Sequence, residues 1–266
     1  MLTEVHVPDD VDSAVGLMAG GAKVLAGGTS LMPLLNDYAS APTELVSLRR
    51  AGLGDVRVAG STVKLGAATT LSQVEHDARL DVLNPVVRSI ASVPVRSLAT
   101  AGGNLFAHQP YGDLAVALVA LNAQAALVDR DGSRELPVEE ILAAGDPGAL
   151  VTEITFELPA KGRFRYLKAA RRRFNSASLV TVAAVVAETA GTVTGVRVAV
   201  GGVGPRVIHA EAVEAALLGE PLNESTVAAA AEAGLGEIAP ADDAYGSAWY
   251  RTRVFPVHLR RALLGH

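Results

Sequence analysis

Two short segments of this chain pair adjacent glycines with hydroxyl or amide side chains: Ala26-Gly27-Gly28-Thr29-Ser30 and Thr100-Ala101-Gly102-Gly103-Asn104. Each borders an apolar run. Glycine lets a backbone turn through conformations that other residues avoid and lets it approach another group closely. Successive N–H groups turned toward one point form a concave anion site. Thr29, Ser30, Thr100 and Asn104 add side-chain donors. Such a set satisfies a pyrophosphate without a lysine, so a dinucleotide is a sensible ligand. The same segments also read as ordinary tight turns, and a single Gly-Gly pair would carry no more than that.

Other glycine motifs are weaker. Gly201-Gly202-Val203-Gly204-Pro205-Arg206 follows a strand-like run, but it lacks the third glycine of a dinucleotide fingerprint. Pro205 also removes an N–H, so a β-turn is the better reading. No Gly-Lys-Ser/Thr occurs, which disfavours an ATPase or kinase. No Gly-x-Ser-x-Gly supports serine hydrolysis, and the scattered histidines offer no metal pair. The chain contains no cysteine, so disulfides, thiolate chemistry and iron–sulfur ligation within it are excluded. Redox chemistry here would need an organic cofactor or a partner.

Half of the 266 residues are apolar and 19% are charged, a globular composition with an aliphatic core. A net charge of −5 without a basic stripe argues against nucleic acid. Arg171-Arg172-Arg173 reads as a solvated face or an ion-pair cluster. The N-terminus lacks the features of a signal peptide, and no apolar run is long enough to span a membrane. The expected location is cytoplasmic.

Patterning predicts a short strand at Val5-His6-Val7, then a helix capped by Asp9, Asp10 or Asp12 and ended by Gly20-Gly21. Strands are expected over 23–26 and 45–48. Residues 56–59 and 62–65 flank Gly60-Ser61 as a II′ hairpin. Thr70-Leu71-Ser72-Gln73 is a capping box. Helices are expected over 84–92 and from Pro137, with strands over 123–128 and 152–156. Further strands are expected over 164–168, 179–188 and 193–200. Helices follow over 210–218, 225–233 and 249–264. Pattern changes place boundaries near 50 and 160. Asp113 reads as a helix cap or as a carboxylate for sugar hydroxyls, and His108 as a loop residue or a pocket-lining one.

Taken together, Ala26 to Leu34, Val95 to Leu105, Gly112 to Leu118 and Tyr166 to Arg172 resemble the FAD-binding medium subunit of molybdenum hydroxylases, the xanthine dehydrogenase and aerobic carbon monoxide dehydrogenase group. Weaker echoes are Gly201 to Arg206 with Glu211, and Trp249-Tyr250-Arg251. The resemblance implies an α+β chain. A PCMH-type (vanillyl-alcohol-oxidase-like) FAD-binding domain would span 1–160, with subdomains of about 1–49 and 50–160. A smaller C-terminal α+β domain would span 161–266. It implies that Leu25, Ala26, Gly27, Gly28, Thr29, Ser30 and Leu31 wrap the pyrophosphate, with Thr100, Gly102, Gly103 and Asn104 as the second half. Asp113 would hold the ribityl chain. Lys168 would lie near the isoalloxazine ring, where a cation stabilises the reduced, anionic flavin; a salt bridge is the other reading of Lys168.

The implied partners are a molybdopterin large subunit and a small subunit with [2Fe–2S] clusters, and the implied acceptor is NAD, quinone or oxygen. Related flavoproteins attach FAD through a histidine beside the first loop. Thr29 and Ser30 stand there, so FAD is expected to be non-covalent. Ala101, His108-Gln109-Pro110 and Tyr111 depart from the family pattern. They motivate a second reading, a free-standing FAD oxidase or oxygenase using His108 or Tyr111 as acid or base. A third is a scaffold that only binds a ligand or partner.

Overall fold

The computed structural model describes residues 2–36, 42–108, 111–172 and 175–265. Gln109, Pro110 and Arg173, singled out in the sequence, lie outside the described residues. The elements run β1 (Glu4–His6), α1 (Val11–Ala19), β2 (Lys23–Leu25), α2 (Leu31–Leu35), β3 (Glu44–Ser47), β4 (Val56–Ala59), β5 (Thr62–Gly66), α3 (Leu71–His76), α4 (Asn84–Ser89), α5 (Val93–Arg96), α6 (Ala101–Leu105) and α7 (Asp113–Ala120). They continue as β6 (Gln124–Asp129), β7 (Gly132–Pro137), α8 (Val138–Ala144), β8 (Leu150–Glu157), β9 (Phe164–Ala170), β10 (Ser178–Thr189), β11 (Thr192–Gly201), β12 (Ile208–His209), α9 (Glu211–Leu217), α10 (Glu224–Gly234) and α11 (Ala248–Leu264). Helix and strand mix along the whole chain, as an α+β fold requires.

The chain divides into two compact units. The first comprises 1–81, 92–107 and 124–156; the second comprises 82–91, 108–123 and 157–266. In the first unit β1, β3 and β2 form a parallel sheet, with Leu25 opposite Ser47. Of the three candidate caps for its helix α1, the structure selects Asp10, which accepts the Ser13 N–H at 2.7 Å. Ala14, Val15, Val46 and Leu48 bury the apolar faces of helix and sheet together. A second sheet in this unit runs β4-β5-β8-β6-β7. Its first hairpin turns at Gly60, whose φ of 63° suits the first position of a II′ turn. The Thr70–Gln73 capping box is fully formed at the start of α3.

The second unit is built on the sheet β12-β11-β10-β9. Strands β10 and β11 form a long hairpin turning at Ala190-Gly191, both in the left-handed region. Aliphatic residues Val182, Val186, Val198 and Val200 pack with Phe255 and Leu259 of α11 in one core. The helix α7 is buried along its length and packs on β10 and β11.

Arg251 of α11 is one of the charges enclosed in this second unit, and it is 1% exposed. Its Nη1 donates to the Leu179 carbonyl at 2.9 Å and to the Gly202 carbonyl, and its Nη2 reaches both oxygens of Asp243 at 3.0 and 2.9 Å. Gly202 has a φ of 79°, and a Cβ there would stand 2.7 Å from the Leu179 carbonyl oxygen. Glycine is therefore required where two strand ends converge on the guanidinium. Arg251→Ala should cost about 3–5 kcal/mol, because it strips the Leu179 and Gly202 carbonyls of a buried donor, removes the cation beside Asp243 and empties a packed site. Urea unfolding would measure the loss; a change below about 1 kcal/mol, the scale of one ordinary hydrogen bond, would contradict this account.

Candidate functional site

The first glycine loop leaves the parallel sheet at the end of β2. Gly28 takes a φ of 70°, and Leu25 Cδ1 and Met32 Cγ close over the side where a Cβ would stand. Gly27 is fixed by a different constraint. A Cβ there would lie 1.9 Å from the Leu98 carbonyl oxygen and 2.6 Å from its carbon. No side chain fits, because the loop backbone lies directly against the backbone of 98–99. Among the described residues, the N–H groups of Gly27, Gly28, Thr29 and Ser30 have no protein acceptor. Ser30 precedes α2 without a side-chain capping bond, so its hydroxyl is also available. Ala26 and Leu31 bracket this run of donors.

The second glycine loop is organised differently. Sequence reasoning expects exposed N–H groups here too, and the structure corrects that. The Gly103 N–H donates to Thr100 Oγ1 at 3.1 Å, and the Asn104 N–H donates to the Thr100 carbonyl at 2.9 Å. The Ala101 and Gly102 N–H groups donate to the carbonyls of Thr69 and Ala67, each at 2.8 Å. The cause is local: Thr100 caps the turn of α6, and 99–102 pair with 67–71. What this loop offers a ligand is side chains. Thr100 keeps its hydroxyl proton, since its oxygen acts as acceptor toward Gly103. Asn104 Oδ1 is buried and has no hydrogen-bond partner among the described residues. This oxygen is an acceptor, so the partner it calls for is a donor, such as a ligand hydroxyl or N–H, and not a phosphate oxygen. Gly102 and Gly103 are explained by packing, since Cβ atoms there would meet Ala67 Cβ at 2.7 Å and Thr100 Oγ1 at 2.8 Å.

The two loops therefore sit together in the first unit. They supply free N–H groups, hydroxyls and one amide, with no lysine among them. This donor set fits the pyrophosphate of a dinucleotide.

Asp113 and Lys168 belong to the second unit and meet there. Lys168 Nζ donates to Asp113 Oδ2 at 2.7 Å and to the Ser89 carbonyl at 2.9 Å. Thr181 Oγ1 donates to Asp113 Oδ1 at 2.9 Å. The side chains of Lys168 and Asp113 are 9% and 7% exposed, so this is a buried pair and not a surface one. Burial pushes the Asp113 carboxyl above its usual range, and Lys168 and Thr181 pull part of the way back. Beside it, Ser89 Oγ and Tyr166 Oη lie 2.8 Å apart. Burial and then the Asp113 charge push the Tyr166 hydroxyl well above the usual phenol range. Asp113 stands in the first turn of α7, and the helix has no side-chain capping bond. Its ties run to Lys168 and Thr181.

His108 and Tyr111 lie in contact, ring centroids 6.4 Å apart. Tyr111 Oη donates to Asp243 Oδ2, and its ring meets Tyr245 edge-on at 5.6 Å. Burial, then the bond to Asp243, pushes its hydroxyl up to about 12. Asp243 itself is held below the usual carboxylate range: burial opposes this, but hydrogen bonds from Tyr111, Tyr245 and Gly246 and the Arg251 charge outweigh it. Thr181, Ser89 and Asp243 escaped the sequence reading because nothing in their local pattern sets them apart, and Tyr166 entered it only as the start of a motif; long-range folding gives them their partners. Among the described residues, no cluster of His, Asp or Glu is placed to hold a metal ion. Nor, among them, is any helix long and apolar enough to cross a membrane.

Lys168→Met would leave a buried carboxylate without its cation, at a cost of about 3–5 kcal/mol near neutral pH. A native carboxyl held above its unfolded value binds its proton more tightly in the native state, so stability falls as pH rises through that window. Losing Lys168 raises Asp113 further. The gap between wild type and Lys168→Met in urea midpoint should therefore narrow on acidification as Asp113 protonates. A gap that widens would refute the pairing.

Residues 2–159 match the family described as the FAD binding domain in molybdopterin dehydrogenase, and residues 165–265 match the CO dehydrogenase flavoprotein C-terminal domain. The chain is 31% identical to the 6-hydroxypseudooxynicotine dehydrogenase complex subunit alpha of Paenarthrobacter nicotinovorans, over 97% of this chain and 92% of that protein. It is 29% identical to the carbon monoxide dehydrogenase medium chain of Hydrogenophaga pseudoflava, over 98% and 95%. Among solved structures, carbon monoxide dehydrogenase from the same organism superposes with a TM-score of 0.92 at 32% identity, covering 99% of this chain and 96% of that one. With a matched FAD-binding domain over more than half its length, this chain belongs to the FAD-binding medium subunits of the molybdenum hydroxylase family, and FAD is its cofactor.

Proposed function

We propose that the chain is the electron-transfer flavoprotein of a heteromeric molybdenum hydroxylase. It would receive electrons from [2Fe–2S] clusters in a small partner subunit and pass them to NAD, quinone or oxygen, while a molybdopterin large subunit oxidises the substrate. The observation that carries the proposal is the pairing of a loop lined with unpaired N–H groups and hydroxyls with a complete lack of cysteine. The chain can hold the organic cofactor but cannot hold clusters of its own, so a partner must supply them. Bound FAD supplies the exchange between one-electron and two-electron chemistry. Cytoplasmic residence, a cofactor domain over 1–160 and a C-terminal domain over 161–266 belong to the same reading.

In it, Leu25 to Leu31 present N–H groups and the Thr29 and Ser30 hydroxyls to the pyrophosphate. The Thr100 hydroxyl donates from the second loop, Asn104 Oδ1 accepts from a cofactor hydroxyl, and Gly102 and Gly103 keep that loop free of side chains. Asp113 and Lys168 are assigned to the ribityl chain and the ring by resemblance. The bonds to Asp113 and to the Ser89 carbonyl fix Lys168 in one place, as preorganised electrostatics require.

A free-standing oxidase would ask Tyr111 or His108 to move a proton. Tyr111 is a poor candidate, since its hydroxyl is committed to Asp243 and loses its proton only near 12. This favours the subunit reading.

Co-expression with genes for the two partner subunits should yield a three-subunit complex containing FAD. A chain that stays alone and active on a small molecule would reverse the choice. Gly103→Val, crowding Thr100 Oγ1, should lower FAD affinity at least about tenfold, or ~1.4 kcal/mol, in a fluorescence titration. Unchanged affinity would mean that the loops are mere turns.

A further inference from the structure

The contact that brings the two glycine loops together depends on a segment with no ligand-facing residue of its own. Leu98, whose carbonyl meets Gly27, follows the single turn of α5. That turn is closed by the Ser97 N–H donating to the Val93 carbonyl and the Ala99 N–H to the Val95 carbonyl, at 3.0 and 2.8 Å. A four-residue helix has no stability in isolation, because nucleation fixes several residues for very few bonds. Something outside it must hold it.

The holding group is Arg96. Its side chain is 8% exposed, and its Nε donates to Glu75 Oε2 of α3 at 2.9 Å; Glu75 is 15% exposed. The other end of α3 is tied to the second loop by backbone bonds. The Leu71 N–H donates to the Ala99 carbonyl, while the Thr69 and Ala67 carbonyls accept from Ala101 and Gly102. The capping box at Thr70 then fixes where α3 begins. The segment 96–102 is thus attached to α3 and its N-terminal approach at both ends: by backbone at 99–102 and by the ion pair at Arg96. Leu98 lies between the two attachments.

We propose that Arg96 and Glu75 are positioning residues for FAD binding: their buried pair holds the Leu98 carbonyl against Gly27 and so keeps the two halves of the pyrophosphate cradle in register. The tolerance is small. The would-be Cβ of Gly27 overlaps the Leu98 oxygen, and that of Gly103 stands only 3.8 Å from Ala26 Cβ. A shift of the 96–98 turn therefore changes the distance between the free N–H groups at 27–30 and the side chains of Thr100 and Asn104. Neither Arg96 nor Glu75 belongs to the donor set; they act through Leu98. The inference rests on the FAD cradle assigned to these loops in the proposed function.

The test uses the full chain, titrated with FAD and separately with ADP, which carries a pyrophosphate but no flavin. Arg96→Gln and Glu75→Gln should each weaken both ligands about tenfold, on the scale of breaking one half-buried charged hydrogen bond. The double variant should be little worse than either single one, since both remove the same contact. Arg96→Lys, which keeps the charge, should recover part of the affinity. Leu127→Ala, a cavity in the buried part of β6, serves as control; it should lower the melting temperature and leave FAD affinity unchanged.

Additive losses in the double variant, or an affinity in Arg96→Gln that falls no further than in Leu127→Ala at equal melting temperature, would overturn the positioning role. A wild-type chain that binds neither FAD nor ADP would overturn the cradle and this inference with it. Wild-type binding with unchanged Arg96→Gln binding would overturn this inference alone.

Discussion

The first unit turns on one backbone-to-backbone contact, Gly27 against the Leu98 carbonyl. A strand end and a short helical turn, far apart in sequence, can approach this closely only where no Cβ intervenes. Once they do, the loop after β2 and the segment after α5 lie backbone against backbone. The remaining glycines follow from it. Gly102 and Gly103 let α6 settle against Ala67 and its own cap, and Gly28 turns the chain so that the N–H groups after it are left without partners. The glycine pattern serves packing and leaves a donor surface as its consequence.

The second unit solves a different problem, the enclosure of charge. Asp113 with Lys168 is held away from water, and so is the Arg251 guanidinium, whose partner Asp243 reaches the surface. Buried pairs of this kind contribute little net stability, since desolvation offsets most of the attraction. Their gain is in fixed geometry. Lys168 donates at once to a carboxylate and to the Ser89 carbonyl, and Thr181 holds the other carboxylate oxygen. A long flexible side chain thereby loses its rotamer freedom during folding and not when a ligand arrives. That is the condition under which an ammonium group can act on a cofactor at low cost.

How much of this was legible in the sequence depended on whether the cause was local. The Asp10 cap, the Thr70–Gln73 capping box, the Gly60 turn and the β10–β11 hairpin are local, and patterning located them. The short helices α5 and α6 were not recognised, because Val93-Pro94-Val95-Arg96 and Ala101-Gly102-Gly103 have little helical propensity. Tertiary bonds to 67–71 and to Glu75 impose those turns. The strand β7 was also missed: Gly132 to Pro137 is exposed for most of its length and lacks apolar alternation, and it owes its form to pairing with β6. Sequence named the glycine loops, Asp113 and Lys168 as candidates, but it treated the loops as equivalent. Only the fold distinguishes the loop whose N–H groups are free from the loop whose N–H groups are engaged.

That difference between the loops carries a physical consequence. Every donor assembled there is a dipole: an N–H, a hydroxyl or a carboxamide. A lysine or arginine attracts a phosphate over a distance of many ångströms and tolerates misplacement, because a charge acts at long range. A hydrogen-bond donor weakens steeply once distance or angle leaves a narrow window. A cradle of dipoles can hold two negative phosphates only if several donors converge at once. The chain therefore has to fix the loop positions before the ligand binds. Leu98 on Gly27, the backbone ladder to 67–71 and the buried Arg96–Glu75 pair are the means by which a segment without a single ligand-facing charge can meet that requirement.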